Sequence, residues 1–310
     1  RQVNPCDDTA DTFVRPTSRN SSPARVRTPG DTGDPASGYR RARPRALPFM
    51  ATSTRASAPE QRTANEPRPL GRLDGWELVR QSAEGLVCRI YQARAAGQSA
   101  QVAPAYAVKL LDVRHESDPR AVGQMEREAH VGRQVAHPHL VPMLAAHVSR
   151  PPYFVVMPWL VGSTLAEVLA VDVRPGVAAA LWIARQVAEA LDALHARGWM
   201  HADIKPSNIF VSALGHVTLL DLGFARHRDE VTSALDRCVI GTPEYMAPEM
   251  VTSALRPDVR SDLYSLGVTL YKLLAGRLPF TATDVGELLR AHRQAEPPEL
   301  RRIVPGVPHE

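Results

Sequence analysis

Two short polar motifs, separated by the pattern of a β-hairpin, constrain this chain more than any other feature of its sequence. The motifs occupy residues 201–208 and 221–223. Between them, two short apolar runs at 209–211 and 217–220 flank a turn that contains a glycine, which predicts an antiparallel hairpin. Because a hairpin returns the chain to where it started, we expect the two motifs to lie around one site.

The residue types in these motifs suit the transfer of a phosphoryl group. Asp203 can orient an attacking hydroxyl and accept its proton, and Lys205, two residues further along an extended segment, can reach the moving phosphoryl group. Asn208 and Asp221 offer the hard oxygen ligands that Mg²⁺ prefers. Each residue alone has an ordinary explanation as a cap, a turn residue or a surface charge. Their order and spacing together favour a phosphate-handling site.

The use of lysine gives a second and weaker indication. The chain has 34 arginines and only three lysines, Lys109, Lys205 and Lys272, so a lysine that persists under such a bias is a candidate for required chemistry. Lys109 lies in an apolar strand pattern, where a lysine most often extends its stem along the sheet edge to reach solvent. Glu128, on the predicted helix that follows, can instead pair with Lys109 while the ammonium neutralises phosphate oxygens.

The first 70 residues differ in composition from the rest of the 310-residue chain. They hold 10 of the 27 prolines, and 12 arginines against seven acidic residues. Too few apolar residues are present to offset the entropy of ordering, which predicts a disordered tail over 1–70. The tail is either a solvated linker or an arm that docks to an anionic surface. Residues 71–310 carry 25 basic and 26 acidic residues, and this near-neutral balance argues against nucleic-acid binding.

The sequence predicts a cytoplasmic location. Three widely spaced cysteines, Cys6, Cys88 and Cys238, form no disulfide framework, which favours a reducing compartment. No run of about 18 apolar residues predicts a membrane span, and no leader that resembles a signal peptide is visible. A membrane anchor beyond residue 310 in a longer parent protein is compatible with this prediction.

The hydrophobic pattern predicts a β-rich part followed by a helical part. Short β-prone runs occur at 76–79, 88–92, 105–111, 140–144 and 153–157, and one amphipathic helix is predicted at 119–135. After a connector near 158–162, helical patterns occupy 163–169, 175–197, 261–275 and 284–292. The predicted fold class is therefore α+β, with a small antiparallel β lobe plus one helix and a larger, mostly helical lobe.

With these motifs in this order, the chain from about Leu73 onward resembles the eukaryotic-like serine/threonine protein kinases of bacteria. Six separated segments carry the resemblance: residues 107–109, 127–129, 201–208, 221–223, 241–249 and 261–267. Asp262 stands where the family has an aspartate that braces the catalytic loop. Lys205 together with Thr242 resembles the pattern of serine/threonine-specific rather than tyrosine-specific kinases.

The resemblance implies a two-lobed kinase domain over 71–310, with an N-lobe at 71–157, a hinge at 158–162 and a C-lobe at 163–310. It implies ATP and Mg²⁺ as cofactors and the serine or threonine hydroxyls of proteins as acceptors. By this resemblance Asp203 and Lys205 are catalytic, and Asn208 and Asp221 bind the metal. The residues that bind the nucleotide by the same resemblance are Gly85, Ile90, Ala107, Lys109, Glu128, Met157, Pro158, Leu160, Asn208 and Asp221.

The sequence departs from the family pattern in its glycine loop and before the catalytic aspartate. Of three glycine positions only Gly85 is kept, with Ala83 and Cys88 at the others, so we expect a stiffer loop and weaker ATP binding. A redox role for Cys88 would require a depressed thiol pKa. Ala202 replaces an arginine that pairs with a phosphorylated residue in the family, so we expect activity without activation-segment phosphorylation. Candidate autophosphorylation sites are Thr232, Ser233 and Thr242.

The C-terminal segment and two other functions complete the expectations. Residues 297–310 resemble the region just after helix G, so we expect the large lobe to be incomplete on its C-terminal side. A pseudokinase would use the same fold as a nucleotide-binding or scaffold module. The degenerate glycine loop, Ala202 and the expected incomplete large lobe favour it, and the retained phosphate-handling residues oppose it. A small-molecule phosphotransferase would lack the segment 242–249. His137 and His139 have the wrong spacing for a helical metal pair, so we predict no structural zinc.

Overall fold

The computed structural model describes residues 70–230, 241–251 and 258–308. The described residues all belong to one unit of the chain. The tail predicted over 1–70 lies outside them, except for Leu70, as do the candidate phosphorylation sites Thr232 and Ser233. None of the helices in these three ranges has the length and apolar character that crossing a membrane requires.

The first part of the chain forms a six-stranded antiparallel sheet with the strand order β1-β2-β3-β4-β6-β5. Its strands are β1 (Gly71–Leu73), β2 (Trp76–Glu84), β3 (Cys88–Ala95), β4 (Tyr106–Leu111), β5 (Ala145–His147) and β6 (Phe154–Pro158). The predicted strands at 76–79, 88–92, 105–111 and 153–157 are confirmed, although β2 and β3 run several residues further than predicted.

Helix α1 (Pro119–Gln134) follows β4 and lies against the sheet. The Asp118 side chain caps it by accepting a hydrogen bond from a backbone N–H, and a proline at the first helical position is compatible with the cap. Met125 and Ala129 on its buried face pack with Val155 of β6. This packing fixes the orientation of α1 and therefore the direction in which Glu128, a buried charged residue of this helix, can point.

The predicted strand at 140–144 is wrong. Leu140 makes only an isolated parallel bridge to Leu219, and the strand β5 begins later, at Ala145. The backbone explains this result, because Val141 donates its N–H to the carbonyl of Leu219 at 3.0 Å, and Leu219 donates to the carbonyl of His139 at 2.8 Å. The proline that follows, Pro142, has no N–H to contribute to a ladder. Residues 139–141 are thus attached to the second part of the molecule.

The second part is mostly helical. Its helices are α2 (Leu165–Ala170), α3 (Val177–His195), α4 (Pro248–Val251), α5 (Val259–Ala275), α6 (Val285–Gln294) and α7 (Leu300–Ile303). Its short strands are β7 (Gly162–Thr164), β8 (Trp199–Met200), β9 (Ile209–Ser212), β10 (Val217–Leu219) and β11 (Arg226–His227). They form a three-stranded sheet in the order β10-β9-β7 and a two-stranded sheet of β11 and β8. The predicted hairpin between the two motifs is confirmed as β9 and β10.

Helices α3 and α5 form the centre of the large lobe. Val187, Leu191 and Leu194 of α3 belong to the same buried cluster as Leu273 of α5. The helix predicted at 163–169 begins at Leu165 instead, because Thr164 serves as its N-cap and forms a capping box with Glu167. The predicted division into a small β lobe with one helix and a larger helical lobe is confirmed.

Candidate active site

Three charged residues from separate elements meet between the two lobes. The Lys109 Nζ atom on β4 lies 2.7 Å from Oε2 of Glu128 on α1 and 2.9 Å from Oδ1 of Asp221, which follows β10. A cation of the small lobe therefore contacts carboxylates from both lobes. Had Lys109 and Asp221 lain on opposite sides of the molecule, no common phosphate-handling site could include them.

Burial and charge act against each other in this cluster. Burial alone would lower the pKa of Lys109, but the nearby carboxylates of Asp221 and Glu128 outweigh it and raise that pKa. Burial raises the pKa of Glu128, which is 2% exposed, to about 7 despite the neighbouring ammonium. The pKa of Asp221 is lowered, because Lys109 overcomes the effect of its burial. One ammonium faces two carboxylates, so the cluster lacks a positive charge and can accept a cation.

A second polar cluster surrounds Asp203, whose side chain is buried between three donors. Lys205 Nζ lies 2.8 Å from one carboxylate oxygen, and the Asn208 amide donates to the same oxygen at 2.9 Å. The other oxygen accepts from the Thr242 hydroxyl at 3.0 Å, and Lys205 also donates to that hydroxyl at 2.7 Å. These contacts orient the Asp203 carboxylate. Because an ionised carboxylate has further acceptor positions, it can still accept a hydrogen bond from another donor.

Helix α5 supports the loop that carries Asp203. Asp262, in the first turn of α5, accepts hydrogen bonds from the backbone N–H groups of His201 at 2.9 Å and of Ala202 at 2.8 Å. His195 at the end of α3 contacts the same carboxylate at 2.8 Å. Ala202 has a left-handed backbone with φ of 63°, which costs a residue with a Cβ about 1–2 kcal/mol. The predicted bracing role of Asp262 is confirmed.

The two clusters are connected through the backbone of Leu220. Its N–H donates to the carbonyl of Asn208 at 2.8 Å, and its carbonyl is 2.9 Å from Nε2 of His201. Asn208 and Asp221, the predicted metal ligands, are thereby held on neighbouring backbone segments. The hairpin of β9 and β10 produces this proximity, as its position between the motifs predicted.

The nucleotide-binding residues predicted on the small lobe lie on adjacent strands. In the sheet register Ile90 is opposite Lys109, and Ala107 is opposite Met157. Pro158 is the last residue of β6 and pairs with Tyr106, so its missing N–H falls at the strand end. Leu160 follows, and within the described ranges its N–H makes no hydrogen bond to the backbone.

The glycine loop is the part of the predicted site that touches the rest least. Gly85 forms the turn between β2 and β3, where its N–H donates to the carbonyl of Cys88 at 2.8 Å. Ala83 is the next-to-last residue of β2. No hydrogen bond within the described residues connects Gly85 to Lys109, Asp203 or Asp221, so its predicted contact with phosphate stays a prediction.

Cys88 shows no sign of an activated thiol. It is a free cysteine, and burial raises its pKa to about 11, with the carboxylates of Glu128 and Asp221 adding to the effect and Lys109 opposing it. Since thiolate is the reactive form, this environment disfavours a redox role. The same electrostatic neighbours show that the C-terminal end of the glycine loop lies close to the charged cluster.

The oxygen donors of Asn208 and Asp221 are of the type that Mg²⁺ prefers. Among the described residues no group of three or more His, Cys, Asp or Glu side chains is arranged to hold a metal ion. A magnesium ion held by Asn208 and Asp221 would take its other ligands from water and phosphate oxygens. The missing positive charge of the Lys109 cluster is consistent with such a cation.

Arg127, whose contacts the sequence did not predict, connects α1 to the segment after Asp221. Arg127 donates to the carbonyl of Ala225 at 3.2 Å and to Glu230 at 2.7 Å. The signal that could have found it is its position directly before Glu128, because successive side chains of a helix project about 100° apart and Arg127 must therefore reach a different neighbour from Glu128. This contact helps to hold Glu128 near Lys109.

Comparison with known proteins decides the family. A family model described as the protein kinase domain matches residues 78–302. The chain belongs to the protein kinase family. The kinase Pkn1 of Myxococcus xanthus is 33% identical over 249 residues, which cover 79% of this chain and 35% of that protein. PrkC of Bacillus subtilis is 31% identical over 202 residues, covering 65% and 31%. PknD of Mycobacterium tuberculosis is 32% identical over 231 residues, covering 74% and 34%.

These relatives are serine/threonine-protein kinases of bacteria, so the resemblance stated from the motifs is confirmed. The matched part of the chain spans about a third of the length of these curated relatives. The residues that match the protein kinase domain include both polar clusters.

Proposed function

We propose that this chain is an active serine/threonine kinase that transfers the γ-phosphate of Mg-ATP to hydroxyl groups of proteins. The observation that carries the proposal is the contact of Lys109 with Asp221 at 2.9 Å, beside an Asp203 carboxylate already held by three donors. Phosphoryl transfer depends mainly on positioning and charge neutralisation, and this arrangement supplies both.

Asp203 is the proposed proton acceptor. A substrate hydroxyl that replaced the Thr242 hydroxyl at Oδ1 would donate its hydrogen bond to the same carboxylate oxygen, which would orient the oxygen lone pair for attack. Lys205 contacts both Asp203 and Thr242, so its ammonium lies where negative charge moves during transfer. Neither role requires a covalent intermediate on the protein.

The nucleotide is proposed to lie between the sheet and the two clusters. Ile90, Ala107 and Met157 would contact the adenine, with the Pro158 carbonyl and the Leu160 N–H bonded to its edge. Lys109, positioned by Glu128, would bind phosphate oxygens, and Gly85 would cover them. Asn208 and Asp221 would hold Mg²⁺, which when bound bridges phosphate oxygens and neutralises their charge.

The boundaries of the catalytic unit and its location are also proposals. We assign the kinase domain to 71–310, with the lobes meeting at the connector 158–162. The free Cys88 thiol and the use of ATP favour the cytoplasm. Autophosphorylation at Thr232, Ser233 or Thr242 stays a prediction, and of these Thr242 has its hydroxyl next to Asp203.

Replacing the proposed proton acceptor tests the function. With Mg-ATP and a serine-containing protein, Asp203→Asn should lower kcat by about 10²–10⁴-fold, the range typical for a lost general base. Binding of ATP should persist, because Asp203 belongs to no proposed nucleotide contact, and this readout separates lost chemistry from lost folding. Asp192→Asn, the same change at an exposed position on α3, is the matched control and should retain activity.

The pseudokinase alternative gives a different outcome in the same experiment. The degenerate glycine loop, with Ala83 and Cys88, and the residue Ala202 are the observations that favour it. A pseudokinase would bind nucleotide, yet the unaltered chain and Asp203→Asn would give the same phosphorylation signal. That result would remove the proposed enzymatic function.

A further inference from the structure

The third lysine of the chain has no part in the ATP site described above. Lys109 and Lys205 both lie in its polar clusters, whereas Lys272 is in the last turn of α5. Because the chain has 34 arginines and only three lysines, each retained lysine is a candidate for a specific role.

Lys272 contacts the segment that bonds to Asp203 through Thr242. Its Nζ lies 2.9 Å from the hydroxyl of Tyr245 and 5.6 Å from the centre of that ring. Tyr245 is only 7% exposed and is also held by Ser265, which donates to its carbonyl at 2.7 Å. Three residues earlier in the same segment, the Thr242 hydroxyl bonds to Asp203. Lys272 is thus placed beside the segment 241–249, whose Thr242 hydroxyl occupies the position proposed for the substrate hydroxyl.

Among the described residues, no carboxylate forms an ion pair with the ammonium of Lys272. Lys109 contacts two carboxylates and Lys205 contacts one, but within the described ranges no carboxylate lies within 4.0 Å of Lys272. Its single hydrogen-bond partner there is the Tyr245 hydroxyl, although an ammonium has three N–H donors. A half-buried cation with unused donors attracts an anionic group.

A second cation lies one helical turn further along. Gly276 caps α5 by donating to the carbonyl of Lys272, and a Cβ on this glycine would lie 2.5 Å from the guanidinium of Arg174. Arg174 comes from the connection between α2 and α3. It forms an exposed ion pair with Asp172 at 3.4 Å, a kind of contact that is weak in water. Two cations, Lys272 and Arg174, therefore lie at the C-terminal end of α5, and Lys272 contacts the segment 241–249.

We propose that Lys272 is a specificity residue that binds an acidic side chain of the peptide substrate, with Arg174 adding to the attraction. The inference rests on the proposed kinase function and names the substrate class for the same site. The chain accordingly prefers serine or threonine peptides with an aspartate or glutamate near the acceptor over peptides with an arginine there.

Peptide phosphorylation by the full chain tests this preference. Peptides with one central serine in an alanine background carry either aspartate or arginine at each flanking position in turn. At one or more positions, kcat/KM for the aspartate peptide should exceed that for the arginine peptide by about tenfold or more, mainly through KM, and the ratio should fall as salt rises. Lys272→Met should bring the ratio close to one, and Lys272→Glu should invert it.

A matched charge reversal on the same helix controls for general electrostatics. Arg260→Glu changes an exposed residue at the opposite end of α5, about 18 Å away along the helix, and should leave the ratio unchanged. Equal use of aspartate and arginine peptides, or a preference that survives Lys272→Glu, overturns this inference and leaves the proposed function intact. Absence of transfer to every peptide overturns both.

Discussion

The catalytic loop of residues 201–208 and the glycine loop of residues 82–88 lie near the same charged cluster, but they are built differently. In the catalytic loop His201 is fully buried. The side chains of Asp262 and Asn208 form hydrogen bonds with backbone groups of the loop. In the glycine loop Leu86 is 94% exposed, and one backbone hydrogen bond, from Gly85 to Cys88, closes the turn.

The difference teaches where this molecule fixes its geometry in advance. A proton acceptor must be held within tenths of an ångström, and a buried, fully bonded loop provides that precision. A loop that covers phosphate gains its shape from the ligand, so few contacts of its own are needed. Substitutions in the catalytic loop or its supports should therefore have large effects, and those at the tip of the glycine loop should have small effects.

The largest effect should come from removing the support of the catalytic loop. Asp262→Ala leaves the N–H groups of His201 and Ala202 buried without their acceptor, which should lower the free energy of unfolding by about 3 kcal/mol or more and reduce kcat by over 100-fold. Urea unfolding and phosphotransfer assays measure the two effects. Asp258→Ala removes the N-cap of the same helix and an exposed ion pair with Arg260, and should cost about 1 kcal/mol. Equal losses from both variants would contradict the bracing role.

An intermediate effect should follow from removing the small-lobe carboxylate that positions Lys109. Glu128→Gln keeps the side-chain shape but removes a charge-assisted contact at 2.7 Å, so kcat/KM for ATP should fall by about 10–100-fold. Because burial raises the pKa of Glu128 to about 7, its negative charge forms as the pH rises through 7. The kcat/KM of the unaltered chain should therefore increase between pH 6 and 8, and the variant should lack this increase.

The matched control for this change is on the same helix. Glu126→Gln alters an exposed carboxylate on α1 and should affect neither the rate nor its pH dependence. A pH profile that is the same in the Glu128 variant and the unaltered chain would show that another group titrates near pH 7.

The smallest effect should occur at the tip of the glycine loop. Leu86→Ala removes an exposed side chain, so the free energy of unfolding should change by no more than about 0.5 kcal/mol. Ile204→Ala in the catalytic loop, where the side chain is buried, should cost about 2–5 kcal/mol. Thermal and urea unfolding compare the two variants directly. A cost above about 1 kcal/mol for Leu86→Ala would show that the loop is packed more firmly than its exposure indicates.

The sequence predicted those parts of the structure that depend on local pattern. The hairpin of β9 and β10, the helix α1 and the division into two lobes all follow from periodicity and turn residues. The contact between Lys109 and Glu128 was also predictable, since a lysine on an apolar strand needs a partner and the next helix offers one. The family resemblance supplied the roles of hinge residues such as Leu160, which pattern alone does not indicate.

The parts that the sequence did not predict depend on contacts between distant segments. The run at 140–144 is β-prone, yet residues 139–141 bond to Leu219, nearly 80 positions later, instead of joining the small-lobe sheet. The ties of Arg127 to Ala225 and Glu230 span about 100 positions in the same way. Local propensity carries no information on such pairings, because each depends on how the two lobes are placed.

The attachment of residues 139–141 to Leu219 has a mechanical consequence. This stretch precedes β5 in the chain but belongs to the large lobe, so the backbone passes between the lobes here as well as at the 158–162 connector. Any rotation of one lobe against the other must therefore bend the backbone at three places: between Gln134 and His139, near Pro142, and near Leu160. Three linked crossings restrict such a rotation more than a single connector would.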